Sequence, residues 1–431
     1  MKVVAFLPTK GNSERIESKN MKLMDGKPLF LHTLEKLCSC DFIDEVYLDS
    51  ESDEILSYAS HLDYKALKRD PELASNKTDG HQLFYNEVAQ VEADFYIQIL
   101  GTNPFVKEET IEKGLNILMK HSEYDSVVLV KKEKQYLWSG NQPVYDKNHV
   151  PNSFDLPDTI TETMGLYIVR KECALKEKKR FGNNCYLLEA NPIEAIDINY
   201  SEDFKLAELI AKGERLKEVT KLRSLATMLT SPMLSDIMFD CGLKGVITGF
   251  KPNFKEIKIL GRANTLKIRK LHEGEDFRGI YDALKTYESI GLGEIIMVEN
   301  EVTDRAYFGD LNANLAVRSG AAGAIIGGVT RDAVEVSKLG FPVFSKGYCC
   351  ADVRGMATME SYGKPIEIQG VTIQPGDLIF ADCNGIVVIP KKWEETIINK
   401  AMKTIRTEKS VLDKVYSGKN ALSIYQEEGA F

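Results

Sequence analysis

The sequence predicts two consecutive α/β domains, and three observations carry that reading. The first 200 residues alternate strand-like and helix-like runs. From about residue 226 the pattern changes to short strands separated by glycine-rich turns. Between the two, KGERLKEVTKLRS (212–224) is charged and has no strand signal. A βαβα alternation predicts a mostly parallel sheet with helices on both faces. The second half reads as a compact α/β unit with much strand. The length of 431 residues fits, since a domain takes roughly 100–200 residues.

The elements follow in order. VVAFLP (3–8) reads as a buried strand, LFLHTLEKLCSC (29–40) as a helix and EVYLDS (45–50) as a strand. DEILSYASHL (53–62) reads as a helix, FYIQIL (95–100) as a strand, EETIEKGLNILMKH (108–121) as a helix and SVVLVKK (126–132) as a strand. AIDI (195–198) is expected to be the last strand of this domain, with a helix from about Glu202 to Lys217 after it. The boundaries expected are a first domain over 1–214, a helical linker over 215–225 and a second domain over 226–431. In the latter, IKILGRANTLKI, GEIIMVEN, GAAGAIIGGV and FPVFSKG supply strands, and a final helix covers 392–408.

The formal net charge of −9 argues against a nucleic-acid partner, because phosphate-backbone binding needs a basic surface. It leaves room for small anions held by a few local cations. No apolar run approaches the ~18–20 residues of a membrane span, and MKVVAFLPTKGNSER turns polar after eight residues. A cytoplasmic protein without membrane contact is expected. None of the eight cysteines forms a CxxC pair or sits beside His at zinc-site spacing, so reduced thiols are expected.

In such a sheet, ligands sit beyond the carboxyl ends of the strands. The first strand runs into LPTKGNSERIESKN (7–20), where backbone N–H groups and nearby cations can cradle phosphate. Lys10 and Lys19 are the candidate cations, with Thr9, Asn12, Ser13 and Asn20 beside them. A solvated loop is the plain alternative for this segment alone. Further landmarks decide between them. The loop resembles the I-P-A-R-x-x-S-K-G-x-P-x-K-N signature, followed by G-K-P-L, of cytidylyltransferases that activate acylneuraminates and related 3-deoxy-ulosonic acids. Pro8, Ser13, Lys19, Asn20 and GKPL (26–29) match it. RDPELASNKT resembles R-P-x-E-L-A-S-D at Arg69, Pro71, Glu72, Leu73, Ala74 and Ser75. ILGTNPF resembles L-Q-P-T-S-P-L at Thr102 and Pro104. TETMGLYIV (161–169) resembles the segment facing the acceptor, and DINYSED resembles D-I-D-x-x-x-D, with Asp197 kept.

The resemblance implies a Rossmann-like nucleotidyltransferase fold over about 210 residues, CTP as substrate, and nucleotide contacts from Pro8, Thr9, Asn12, Ser13, Asn20, Arg69, Ser75 and Thr102. It implies Lys10 and Lys19 as the catalytic cations and Asp197 as a ligand for Mg²⁺ or Mn²⁺. The departures are Lys10 for Arg, Glu14 for Lys, Asn76 and Asn199 for Asp, and Thr163 or Met164 for the acceptor-side Asn. An ammonium grips phosphate as a point charge where a guanidinium grips it as a fork. CTP with an unusual acceptor, another nucleotide, and a non-catalytic domain all remain open at this point.

The second half carries Asp310, twenty residues, then Arg331-Asp332, two residues, then Glu335. Arg can fork a 2-oxo-acid carboxylate and neutralise growing charge. A carboxylate can anchor a divalent ion that polarises the keto oxygen. Backbone N–H groups near Gly309, Leu311 and Asn312 can add an oxyanion site. Taken alone, Arg331-Asp332 is a surface pair beside a helix start. The segment resembles the family of 4-hydroxy-4-methyl-2-oxoglutarate aldolases and the regulator of ribonuclease E activity, whose aldolase-competent members carry D-x20-R-D-x2-E/D. LSD (234–236), GRANTL (261–266), LGFPVFSKG (339–347) and IQPGDLIFADCNGIVVIP (373–390) agree with it.

That resemblance implies an α/β swivelling domain over about 221–431. It assigns catalysis to Asp310, Arg331 and Asp332, metal binding to Asp332, and substrate contacts to Gly309, Leu311, Asn312, Arg331 and Glu335. It also implies sites at subunit interfaces of a homo-oligomer, a trimer or a hexamer. Ulosonic acids are formally aldol adducts of pyruvate, so a lyase joined to an acid-activating transferase is chemically coherent, as in CMP-sugar supply for a surface polysaccharide. The rival is a regulatory or oligomerising second half. No glycine-rich nucleoside loop supports a methyltransferase.

Overall fold

The computed structural model describes residues 1–60, 62–75 and 77–429. The chain divides into two compact units, Met1–Ile210 and Ala211–Phe431.

The first unit is built on a seven-stranded sheet. Its strands are β1 (Val3–Pro8), β2 (Glu45–Ser50), β3 (Lys65–Lys68), β4 (Phe95–Ile99), β5 (Ser126–Lys134), β6 (Asp158–Arg170) and β7 (Cys185–Glu189), in the order β7-β5-β6-β4-β1-β2-β3. All neighbouring pairs are parallel except those of β6, which runs antiparallel to β4 and β5. This is the mostly parallel sheet the alternation predicts.

Period-two alternation along β1 explains the two layers. Val3, Ala5 and Leu7 pack with Phe30 and Leu34 of α1 (Leu29–Ser39), Ile55 of α2 (Asp53–Tyr58), and Ile111 and Leu115 from a further helix over Glu108–Lys120. Val4 and Phe6 face the other way, onto Phe84 and Val88 of Gly80–Val88 and onto Ala174 of Lys171–Glu177. Those three further helices are α3 (Gly80–Val88), α4 (Glu108–Lys120) and α5 (Lys171–Glu177). Helix α2 stops at Tyr58, short of the helix expected over 53–62; His61 in that span lies outside the described residues.

One expected strand is absent. AIDI (195–198) forms turns and then an extended segment pinned to the loop after β4. The Ile198 N–H donates to the Thr102 carbonyl at 2.9 Å, and Asn103 Nδ2 donates to the Ile196 carbonyl at 3.1 Å. Those partners replace a ladder. The last strand is instead β7, CYLLE, parallel to β5. After it, α6 (Ser201–Met228) runs unbroken through the expected 202–217 helix and the expected linker.

The second unit holds a nine-stranded mixed sheet. Parallel pairing joins β10 (Ile259–Lys270), β11 (Ile295–Asn300), β12 (Gly323–Ile326) and β13 (Val343–Ser345). Antiparallel partners are β8 (Val246–Ile247), β9 (Lys251–Pro252), β14 (Ala357–Tyr362), β15 (Leu378–Asp382) and β16 (Gly385–Ile389). Helices α7 (Ser231–Asp240) and α10 (Glu394–Tyr416) close one side over Leu378, Phe380 and Val387. Between them in sequence lie α8 (Asp310–Ser319) and α9 (Ala333–Lys338), which follow β11 and β12.

Helix α10 continues past the expected end at 408, and α11 (Ala421–Glu428) follows it. Lys414 ties the two, reaching Glu427 at 2.9 Å. Among the described residues no helix is long and apolar enough to cross a membrane, and none of the eight cysteines forms a disulfide.

Candidate functional sites

A cleft of about 610 Å³ opens at the carboxyl ends of β1, β3 and β4. It gathers Pro8, Lys10, Ser13, Lys19, Asn20, Arg69, Ser75 and Thr102, all singled out from sequence. Two expected nucleotide contacts, Thr9 and Asn12, do not line it. Thr9 is buried, with its N–H donating to the Asp49 carbonyl at 2.8 Å, and Asn12 Oδ1 accepts from the Ser13 N–H at 2.9 Å. Asn76 lies outside the described residues.

Lys19 is buried, and its ammonium donates to the Ile198 carbonyl at 2.7 Å. Burial lowers its pKa; Asp197 opposes that shift, Arg15 adds to it and Asp203 opposes it. Asn20 Nδ2 donates to the Lys10 carbonyl at 2.8 Å and fixes the loop. These contacts tie the loop after β1 to the 196–198 segment, so the misread strand helps to hold the cation.

Arg69 sits in the cleft floor with its Nε and Nη2 donors committed to Asp49. Its Nε bonds both Asp49 carboxylate oxygens at 3.0 and 3.1 Å, and its Nη2 bonds Asp49 Oδ2 and the Asp49 carbonyl, each at 2.9 Å. The pair is almost wholly shielded from solvent. Glu87 is buried beside it and bonded by Gln98. Burial, and then the Asp49 carboxylate, push the Glu87 pKa well above the usual carboxylate range.

Asp197 Oδ2 accepts from Asn199 Nδ2 at 2.6 Å. Asp203 Oδ2 caps the start of α6, accepting from the Asn199 and Tyr200 N–H groups at 2.9 and 2.8 Å. Asp197, the expected metal ligand, is not among the residues lining the cleft. On β6, the pairing with β5 shifts register between Glu162 and Tyr167. Met164 is left-handed at φ 61° in that bulge, and Thr163 Oγ1 donates to the Leu129 carbonyl at 3.0 Å. Sequence reading did not single out Arg15, Asp79 or Arg180, which also line the cleft. KKRFGNN has no periodic or motif signal that would have flagged Arg180.

In the second unit the turns that carry Asp310 and Arg331-Asp332 come together. Arg331-Asp332 lies on the turn between β12 and α9, and Asp310 opens α8 after β11. The Asp310 N–H donates to Asp332 Oδ2 at 3.1 Å. Arg331 Nε lies 3.5 Å from Asp332 Oδ2, and its Nη1 lies 2.7 Å from Asp352 Oδ2. Asp332 is left-handed at φ 55°. A Cβ at Gly309 would fall 2.4 Å from Asp332 Oδ2, so glycine permits the approach of the two turns.

Asp352 was missed in sequence because it lies twenty residues beyond the dipeptide, in an irregular loop. The oxyanion reading needs a correction: the Leu311 N–H is spent on Asp310 Oδ1 at 2.8 Å. Asn312 Nδ2 turns back to the Tyr307 carbonyl at 2.8 Å, and Glu335 is exposed on α9. Arg331, Asp332 and Asp352 are each more than a third exposed, and the hollow touching Arg331 is only about 10 Å³. Two carboxylates, Asp332 and Asp352, pair with the one guanidinium, and among the described residues no group of three or more His, Cys, Asp or Glu side chains is placed to hold a metal ion. A larger groove of about 960 Å³ in this unit includes none of these residues.

The fold and cleft of the first unit are those of a nucleotidyltransferase. Residues 4–224 match the cytidylyltransferase family model, and the chain belongs to that family. Residues 231–388 match the Aldolase/RraA family model. Among individual relatives, the DlpA protein of Legionella pneumophila is 30% identical over 189 residues, 44% of this chain and 30% of that protein. A putative 4-hydroxy-4-methyl-2-oxoglutarate aldolase of Halalkalibacterium halodurans is 29% identical over 43% of this chain and 82% of its own length. The pseudaminic acid cytidylyltransferase of Campylobacter jejuni is 24% identical over 49% of this chain and 97% of its own. The chain therefore spans less than a third of DlpA, and each of the three relatives is similar to less than half of this chain.

Proposed function

We propose that the first unit transfers CMP from CTP to an acidic sugar or related acid, and that the second cleaves or forms a carbon–carbon bond in a 2-oxo acid. The observation that carries the first reading is the cleft in which Lys10, Lys19, Asn20, Ser75 and Thr102 converge at the carboxyl ends of the strands. An acceptor hydroxyl attacks the α-phosphorus of CTP, the bond to the β-phosphate oxygen breaks, and pyrophosphate leaves. The chain's part is positioning and charge neutralisation by Lys10 and Lys19. Asp197 would hold a divalent ion, Mg²⁺ or Mn²⁺, which neutralises phosphate charge when bound. The relatives' names favour an acidic sugar as acceptor, as in CMP-sugar supply for a surface polysaccharide.

In the second unit Arg331 would fork the carboxylate of the 2-oxo acid, and Asp332 would hold a divalent ion that polarises the keto oxygen. The C3–C4 bond of a 4-hydroxy-2-oxo acid breaks as its 4-hydroxyl gives up a proton and becomes a carbonyl, leaving an enolate that takes a proton to give pyruvate or a similar 2-oxo acid. Decarboxylation would pass through the same enolate. The open setting of Arg331 supports completion of the site by a second copy in a trimer or hexamer; a stable monomer in light scattering would remove that part of the reading.

The test assays pyrophosphate release with CTP and Mg²⁺ across acidic sugars and 2-keto-3-deoxy acids, with pyruvate scored in the same wells. Turnover of one acid, lost in Lys19→Ala, supports the transferase. Pyruvate formation lost in Arg331→Ala supports the lyase. Arg331→Ala that spares every activity but disturbs assembly would make the second unit a scaffold.

A further inference from the structure

We infer that Arg180 is the side chain that reads the nucleotide base, an inference that rests on the CMP-transfer reading. Arg180 stands between α5 and β7 and is only 5% exposed, yet it lines the cleft. It is held from three sides. Its backbone N–H donates to His81 Nδ1 at 3.2 Å. Its guanidinium carbon lies 5.0 Å from the centroid of the Tyr167 ring. Gly80, the first residue of α3, leaves room for its tip, since a Cβ there would fall 2.3 Å from Nη1. Its Nε is buried with no hydrogen-bond partner. A buried guanidinium N–H without a partner is costly, and at the wall of a cleft a ligand is the natural acceptor.

The charged groups in and around the cleft fall into two sets. Those acting on Lys19 are Asp197, Arg15 and Asp203. Those acting on Asp79 are His81 and Arg180. A triphosphate goes to the first set, with its loop of amides and lysines. The second set then receives the other end of the nucleotide. The lining there suits a flat ring: Leu73 and Leu83 offer apolar faces, and Ser75 and Thr78 offer hydroxyls. Arg180 donates where cytosine presents its O2 and N3 acceptors, and the Asp79 carboxylate accepts from the 4-amino group. Uracil has N3–H and O4 at the corresponding positions and meets both groups with the wrong polarity.

The experiment is calorimetric binding of CTP, UTP and inorganic tripolyphosphate to the full chain and to Arg180→Met and Gly80→Ala. Both variants should bind CTP about 10-fold or more weakly, the range for losing a hydrogen bond to a charged group. Tripolyphosphate affinity should stay unchanged, and the preference for CTP over UTP should shrink. Gly80→Ala displaces the guanidinium while keeping its charge, so it carries the test if Arg180→Met fails to fold. Equal weakening of tripolyphosphate would make Arg180 a phosphate ligand and overturn the inference. Unchanged CTP binding in both variants would overturn it too, assigning Arg180 to the acceptor side or to packing. Failure of the wild-type chain to bind CTP would instead strike the CMP-transfer reading itself.

Discussion

The two sites differ in how deeply their charged groups are buried. The cleft of the first unit has buried cations in its walls: Lys19 and Arg180 are under a tenth exposed, and Arg69 is almost wholly inside. The Arg331 cluster of the second unit is open, with its guanidinium and its two paired carboxylates each more than a third exposed. Burial strengthens a charge interaction and makes its loss expensive, whereas an exposed pair is screened by water. Substitutions in the first site should therefore disturb folding as well as chemistry. Substitutions in the second should disturb chemistry alone.

The largest effect expected is from Arg69→Met. It strands Asp49 beside Glu87 without a cation, and breaking a buried pair costs about 3–5 kcal/mol. Denaturant unfolding of the full chain should show the transition of the first unit move, whether or not CTP is present. A variant that is fully stable but blind to CTP would make Arg69 a nucleotide ligand and break the contrast. Next come Lys19→Ala and Arg331→Ala, assayed crosswise. Each should lower its own reaction about 10²–10³-fold, the range for removing one preorganised charge stabiliser. Each should leave the other reaction within error, and melting of the Arg331 variant should be unchanged. Asp352→Asn should act through the aim of Arg331, lowering pyruvate formation by about 10-fold or more and raising KM. Wild-type kinetics would leave Asp352 as a surface partner only.

The same contrast marks what the sequence revealed. The first sheet was legible because strands such as VVAFLP and FYIQIL are continuous apolar runs, the mark of parallel strands covered on both faces. The loop after β1 was legible because its polar residues follow such a run. AIDI was misread because an apolar pair at the right place looks like a strand, while its partners are single groups at Thr102 and Asn103. The Asp310–Arg331–Asp332 cluster was legible only through its resemblance to the aldolase family's D-x20-R-D-x2-E/D pattern, since Arg331-Asp332 taken alone reads as a surface pair. Asp352 and Arg180 were not, since each reaches its place from an irregular loop that no period describes. The end of α10 was missed because RTEKS reads as a polar stop, although Val411 beyond it is buried.

The smallest effect expected lies beneath the first cleft, at Glu87. Burial, and then the Asp49 carboxylate, push its pKa well above the usual carboxylate range. In the unfolded chain the same group ionises near its ordinary value, about 4.3. Above that pH the folded state keeps a proton that the unfolded state has lost. The slope of unfolding free energy with pH follows the protons bound in the unfolded state minus those in the native state. The slope from this group is therefore negative, and its share of stability is lost as pH rises from about 4.3 toward the folded pKa. Lys19, whose pKa is lowered from the lysine range, works at the opposite end of the scale. Glu87→Gln keeps the shape, with an amide to donate to Asp49 and a carbonyl to accept from Gln98, and has nothing to ionise. The difference in melting temperature between wild type and Glu87→Gln, measured on the full chain at pH 5 and at pH 8, should grow in favour of the variant at the higher pH. A difference that stays constant would mean that Glu87 is ionised in the folded protein and shares Arg69 with Asp49, making the floor of this cleft as charged as the open cluster around Arg331.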